Sequence, residues 1–180
     1  VVKVTAGLGL RREEICGLKW ESVDFQRRVV HIKEARTAYG ATVVQKETKN
    51  RSSMRTLFMP DELYELLRRE KARQEQERAI RGGDYAASGH VVLDREGLPY
   101  SPNALSLAFT RFVRKNHLPR LTLHGLRHTF ATIASAQGVP LFDIGKAMGH
   151  STPATTGRIY THLVDRTHEE TLLLVSAALK

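Results

Sequence analysis

A single cysteine, Cys16, occurs in the sequence, so an internal disulfide framework is excluded and a reducing cytosol suits the chain. Cys16 sits in an apolar run with Ile15 and Leu18 and reads as a small buried side chain. No stretch approaches the ~18 consecutive apolar residues that span a membrane. The opening VVKVTAGLGLR has neither a charged n-region nor a cleavage site, so no secretory leader is read there. Repeats, low-complexity segments and internal linkers are also missing. Acid is scarce in one long region: between Gly97 and Val164 Asp143 stands alone against Arg111, Arg114, Lys115, Arg120, Arg127, Lys146 and Arg158.

That scarcity locates the charge. The net charge is +9, and 41% of the 180 residues are hydrophobic, enough for one domain with a sizeable core. Residues 61 to 81 hold acids and bases in equal number and read as an ordinary salt-bridged helix face. The excess positive charge therefore lies elsewhere, and nucleic acid is the favoured partner over a merely solvated basic face. A chain that enters a helical pattern directly, without Met, is expected to be a fragment of a longer protein.

Periodicity orders the chain. Residues 1 to 19 read as one or two short helices around a break at Gly7 and Gly9, and Trp20 to Asp24 turns into a strand. Arg28 to Ala35, Ala41 to Gln45 and Met54 to Met59 are expected to form one small three-stranded antiparallel sheet. The polar connection KETKNRSSMR puts Lys46 and Lys49 in or beside an outward-reaching hairpin loop, unless it is only a charged guard on a sheet edge. Asp61 is expected to cap a long helix with Leu63, Leu66 and Leu67 inward, which stops at Gly82 and Gly83. A short strand is expected at His90 to Leu93. A helix from Pro102 buries Leu105, Phe109, Phe112 and Val113 and exposes Arg111, Arg114 and Lys115. Helices follow after Pro119, over Pro140 to Met148 with Leu141, Ile144 and Ala147 inward, from Pro153 behind a Ser151 or Thr152 cap, and from Asp165. The last carries Leu172, Leu173, Leu174, Val175 and Leu179 nearly all round, more apolar surface than one docking face needs, so a partner is expected to cover part of it. The whole is α+β, mainly helical, with a small antiparallel sheet near the start.

The stretch HGLRHTFATIASAQGVPLFDIGKAMGHSTPATTGRIY, residues 124 to 160, concentrates the chemistry. At 100° per residue His124, Arg127 and His128 share a polar arc about 100° wide, beside an apolar arc of Leu126, Phe130, Ile133 and Ala134. Two imidazoles and a guanidinium beside a hydrophobic seam suit an anion. Read singly, each member is bland: a solvated helix face, a surface tyrosine. His124 and His128 also have a metal-pair spacing, but Gly125 and Leu126 stand where an HExxH motif has its glutamate.

Four segments, GLRREEICGLKW, TKNRSSMRTLFMP, LTLHGLRHTFAT and MGHSTPATTGRIYTHL, resemble in order and spacing the catalytic domain of the tyrosine recombinases, the phage-integrase family. The resemblance covers nearly all of the chain, so residues 1 to 180 are expected to be that catalytic domain, without the core-binding and arm-binding domains that usually precede it. It implies site-specific cleavage and rejoining of double-stranded DNA through a 3′-phosphotyrosyl intermediate, as in integration or excision of a phage or other mobile element. No metal or other cofactor is implied. Arg11 and Arg127 match the two arginines that hold non-bridging phosphate oxygens in a fork. Tyr160 matches the nucleophile, a phenol that needs a base or a cationic pocket because its ordinary pKa is near 10. Lys49, with Lys46 as the fallback, matches the lysine that protonates the leaving 5′-oxygen. His124 and His150 match the remaining pocket positions, His128 a supporting one, and Glu14 is expected to hold a neighbouring arginine or cap its helix. Lys46, Arg51, Arg111, Arg114, Lys115 and Arg158 are expected on DNA phosphates. A homo-oligomer on DNA, a tetramer in the recombining complex, a possible directionality factor and a cytoplasmic, nucleoid-associated bacterial location complete the expectation. Two rivals stay open at this stage. One is a non-catalytic DNA-binding module with a loose helix-turn-helix over residues 139 to 162. The other is a metallohydrolase built on His124, His128 and His150.

Overall fold

The computed structural model describes residues 1–40, 42–47 and 53–150, with the backbone alone at Glu47. Helix α1 (Val2–Leu8) stops because Gly9 adopts the left-handed conformation (φ 59°) and its N–H donates to Thr5 O. Glycine is doubly required here, since a Cβ would stand 2.8 Å from the Phe130 ring of a later helix. Helix α2 (Arg12–Gly17) starts with a capping interaction in which the Arg11 N–H donates to Glu14 Oε2 at 2.8 Å. Both helices and their flanking residues feed Val4, Leu8, Leu10, Ile15, Cys16 and Leu18 into the main core; the break falls at Gly9 alone, and Gly7, expected to share it, lies inside α1.

The sheet region differs from the expected single three-stranded unit in membership. After a 3-10 turn at Trp20–Ser22, strand β1 (Val23–Asp24) pairs with β2 (Val29–Ile32), and β2 pairs with β5 (Arg55–Phe58), all antiparallel. Strand β3 (Glu34–Tyr39) and β4 (Thr42–Glu47) form a separate two-stranded ribbon, in register from Glu34↔Glu47 to Tyr39↔Thr42. The run that reads as one strand is thus two, divided at Lys33. The β-branched content is continuous, but the partner changes. Val30 and Ile32 point into the core and commit β2 to the three-stranded sheet, whereas β3 leaves it to pass over the end of α2. Gly17 permits that passage, because a Cβ there would meet Ala35 Cα at 2.9 Å and Arg36 N at 3.0 Å.

Helix α3 (Asp61–Arg81) begins after Pro60, not behind an aspartate cap. The Asp61 carboxylate is drawn to Arg28 instead. Leu63 and Leu67 are buried and Leu66 is half-buried; beyond them the helix is rich in charged residues. Its second half is anchored by Gln74, whose Oε1 accepts from Trp20 Nε1 at 2.8 Å and whose Nε2 donates to Val91 O at 2.9 Å. The helix ends at Gly82 (φ 55°). His90 to Leu93 is no strand: two isolated bridges, Lys19↔His90 and Leu93↔Pro99, hold an irregular segment against the core.

Ser101 caps helix α4 (Pro102–Lys115), accepting from Ala104 N at 3.1 Å. The buried row is Leu105, Phe109 and Val113, narrower than expected. Phe112 lies off that row and is 47% exposed. Arg111, Arg114 and Lys115 are exposed, as the periodicity implied. Helix α5 (Leu123–Ala136) is capped by Thr122 and packs on α1 and on α6 (Leu141–Met148). Its Ile133, expected inside, faces outward. Ala131, Ile144 and Met148, with Phe130, Ala134 and Leu141, make a second small cluster under the helix pair. In α6 the fully buried residues are Ile144, Gly145 and Met148, while Leu141 and Ala147 are half-buried. The expected helices from Pro153 and from Asp165 lie outside the described residues. None of the described helices is long and apolar enough to cross a membrane.

Gly17→Ala drives a methyl group into backbone that cannot yield as a side chain would. It is expected to cost about 1–3 kcal/mol, the range for overpacking, read as a lower urea midpoint with an unchanged m-value.

Candidate active site

Arg127 is the buried member of the HxxR pattern, only 5% exposed. This corrects the helical-wheel expectation, which put it on a wet face beside His124. A buried guanidinium needs acceptors, and two helix ends supply them. Arg127 Nη1 donates to Gly9 O, just past the end of α1, and Nη2 donates to Met148 O, the last carbonyl of α6, at 2.8 Å. Carbonyls at helix C-termini lack intrahelical donors and carry the negative end of the helix dipole, so a cation suits them without a carboxylate.

The end of α6 serves two more arginines. Arg55 Nε donates to Ala147 O at 2.6 Å, and Arg11 Nη2 donates to Gly149 O. Gly149 turns the chain there in the left-handed conformation (φ 70°), and a Cβ would stand 2.6 Å from Arg55 Nη1. The turn brings His150 N–H back to Gly145 O at 2.9 Å and so fixes where the imidazole leaves the backbone.

Glu14, 2% exposed, lies between Arg11 and Arg55. Arg55 covers both carboxylate oxygens, with Nη1 and Nη2 each 2.9 Å from its oxygen, and Arg11 Nη1 approaches Oε1 at 2.9 Å. Burial alone would raise the pKa of Glu14. The hydrogen bond and charge of Arg55, followed by those of Arg11, outweigh it and hold the carboxyl below its ordinary value. Glu14 thus both caps its helix and holds a neighbouring arginine. Arg55 was not singled out from the sequence, because in RSSMRTLFMP it is one basic residue of a basic segment; only its place opposite Glu14 distinguishes it.

His124, Arg127 and His150 line one cleft of about 690 Å³ with Arg11, whose side chain is 35% exposed. Ser106 and Thr110 of α4 form part of the wall. His124 and His128 stand edge to face, with an N–H···N contact of 2.8 Å between their Nε2 atoms. Burial, then the proximity of His124 and Arg127, lowers the pKa of His128. His150 is pushed down to about 4, first by burial and then by the charges of Arg127, Arg11 and Arg55. It is therefore a neutral imidazole at pH 7 in the unliganded protein. Among the described residues no group of three or more His, Cys, Asp or Glu could hold a metal ion. Lys46 is exposed on the ribbon, and Arg111, Arg114 and Lys115 are exposed on α4; none of them lines the cleft. Lys49, Arg51, Arg158 and Tyr160 lie outside the described residues.

The family model described as the phage integrase family matches residues 1–167. The chain belongs to this family. A tyrosine recombinase XerC-like protein of Caldanaerobacter subterraneus subsp. tengcongensis is 28% identical over 174 residues, covering 89% of this chain and 44% of that protein. The transposase from transposon Tn916 of Enterococcus faecalis is 29% identical over 163 residues, covering 86% of this chain and 39% of that protein. The chain thus spans less than half the length of these phage-integrase relatives. The fold is that of the Tn1549 transposon integrase, solved in complex with transposon right end DNA, at a TM-score of 0.80 and 24% identity over 99% of this chain and 58% of that one. XerA recombinase shares it at a TM-score of 0.66 and 21% identity, over 92% of this chain and 57% of that one.

The depressed His150 gives an acid-side prediction. Between about pH 6.5 and about 4 the unfolded chain, with an ordinary imidazole, binds the proton that folded His150 refuses. Stability contributed by neutral His150 is therefore full above pH 6.5 and is lost as the pH falls towards 4. The loss is on the order of 2 kcal/mol once solvent screening is allowed for. Urea unfolding at a series of pH values should show it, and His150→Gln should flatten the slope in this window.

Proposed function

We propose that residues 1 to 180 act as the catalytic domain of a site-specific tyrosine recombinase that cuts and rejoins double-stranded DNA for a phage, transposon or similar mobile element. The observation that supports this reading most is the convergence of Arg11, His124, Arg127 and His150 on one cleft in a phage-integrase family member. The DNA-bound Tn1549 integrase structures, which share the fold, point the same way for the partner. Action on chromosomal DNA would place the protein at the bacterial nucleoid, as an oligomer that becomes a tetramer on two duplexes, with or without a directionality factor.

In the proposed reaction Tyr160 passes its phenolic proton to an imidazole of the cleft or to water, and its oxygen attacks the phosphorus. The bond from phosphorus to the 5′-oxygen breaks, and that oxygen leaves with a proton from Lys49, or from Lys46 in its place. The phosphate stays on Tyr160 as a 3′-phosphotyrosine, and attack by a 5′-hydroxyl reverses the step. Bond energy is conserved, so no nucleotide is consumed. Charge building on the non-bridging oxygens is met by Arg11 from the open side of the cleft and by the Arg127 region from below. His124 and His150 donate hydrogen bonds to the same phosphate or aid proton transfer.

A labelled, nicked DNA carrying the element's own end, incubated with the natural protein in EDTA, tests the reading. A denaturing gel should show label joined to protein, and Tyr160→Phe should abolish it. Absence of the adduct from the wild-type protein would reduce the chain to a DNA-binding module. Arg111, Arg114 and Lys115 give a separate test by salt titration. Changing all three to Gln should lower affinity on every sequence alike and cut the slope of log affinity against log salt by about 2–3.

A further inference from the structure

The cluster of Arg11, Glu14 and Arg55 contains two cations and one anion, and its members differ sharply in exposure. The side chains of Glu14 and Arg55 are 2% and 7% exposed, against 35% for Arg11. A closed pair of Arg11 and Glu14 would be neutral and would offer an anion little attraction. With Arg55 the trio carries one surplus positive charge, and the one member open to the cleft is Arg11. The contacts divide the same way. Arg55 meets Glu14 as a two-pronged fork and is itself oriented by Ala147 O. Arg11 makes one side-chain contact with Glu14, through Nη1, and turns Nη2 towards Gly149 O.

We infer that Arg55 is a positioning residue for strand transfer: it takes up the charge of Glu14, so that Glu14 fixes Arg11 without cancelling the positive charge Arg11 presents to the scissile phosphate. This rests on the proposed reading of the cleft as a phosphodiester site. Arg55 itself is buried against the turn at Gly149 and does not line the cleft. The geometry makes a demand that a simple brace would not. Loss of Arg55 leaves Glu14 to neutralise Arg11, and removing the charge of Glu14 as well restores the balance. Two damaging changes should therefore compensate.

The test uses the natural protein and the nicked substrate, with folding of each variant checked by circular dichroism. Arg55→Met is expected to slow formation of the covalent adduct a hundredfold or more. Arg55→Met with Glu14→Gln should recover at least tenfold of that loss, because an amide oxygen can still accept from Arg11 without neutralising it. Arg55→Lys, which keeps the charge and loses the fork, should stay within tenfold of wild type and serves if Arg55→Met does not fold. A substrate in which a methyl group replaces one non-bridging oxygen of the scissile phosphate removes the charge to be balanced. On it the deficit of Arg55→Met should shrink at least tenfold. A double variant worse than Arg55→Met, or equal deficits on the two substrates, would overturn the inference and leave Arg55 a brace. Arg11→Ala separates the two levels. If its deficit is relieved on the methylated substrate while that of Arg55→Met is not, the inference alone fails; if the wild-type protein forms no adduct, the reading of the cleft fails with it.

Discussion

Three consecutive carbonyls at the end of α6 each accept from a different arginine: Ala147 O from Arg55, Met148 O from Arg127 and Gly149 O from Arg11. These arginines come from the third strand of the small sheet, from α5 and from the start of α2, so the end of one eight-residue helix holds three parts of the fold together. The exposed N–H and C=O groups of helix ends usually meet solvent or a cap. Here they organise a cationic cluster, and the dipole of α6 offsets part of the cost of bringing like charges together. His150 follows directly on this turn, so the geometry that holds the arginines also sets the imidazole among them.

The requirement for glycine follows from the same crowding. At Gly149 a side chain would strike the Arg55 and Arg11 guanidiniums, and at Gly9 it would strike Phe130 on the helix that carries Arg127. Both glycines sit in the left-handed region at helix ends. They end their helices and let a guanidinium reach the chain, and an alanine would fail on both counts.

The legibility of this molecule from its sequence was uneven for physical reasons. Helix positions came through well because apolar spacing, Pro102 at a helix start and Gly9 and Gly82 at helix ends are local signals. The cluster of Arg11, His124, Arg127 and His150 was visible through the family motifs, and the structure draws these residues around one cleft. The depth of Arg127 was not visible, since a helical wheel ranks a guanidinium as polar and knows nothing of carbonyls arriving from two other helices. Arg55 was hidden for the same reason: its partner, Glu14, is distant in sequence, and nothing local sets Arg55 apart in its basic segment. The division of RVVHIKEA at Lys33 was missed because β-branched composition signals strand without naming the partner strand.

That division matters for the chemistry. The candidate proton donors lie on or just after β4, which belongs to the two-stranded ribbon, whereas the chain returns through β5 in the core sheet. The ribbon lies over α2 at Gly17 and is tied down by polar contacts: Gln45 Nε2 donates to Glu34, His90 Nε2 donates to Gln45 Oε1 at 2.9 Å, and Lys19 pairs with Glu34 at 3.1 Å. Burial lowers the pKa of His90, and its Nδ1 lies 3.1 Å from Ser88 O, so the ring is held on both sides. The departing strand thus rests on a hydrogen-bonded support, and the returning strand begins at Arg55, clamped on Glu14.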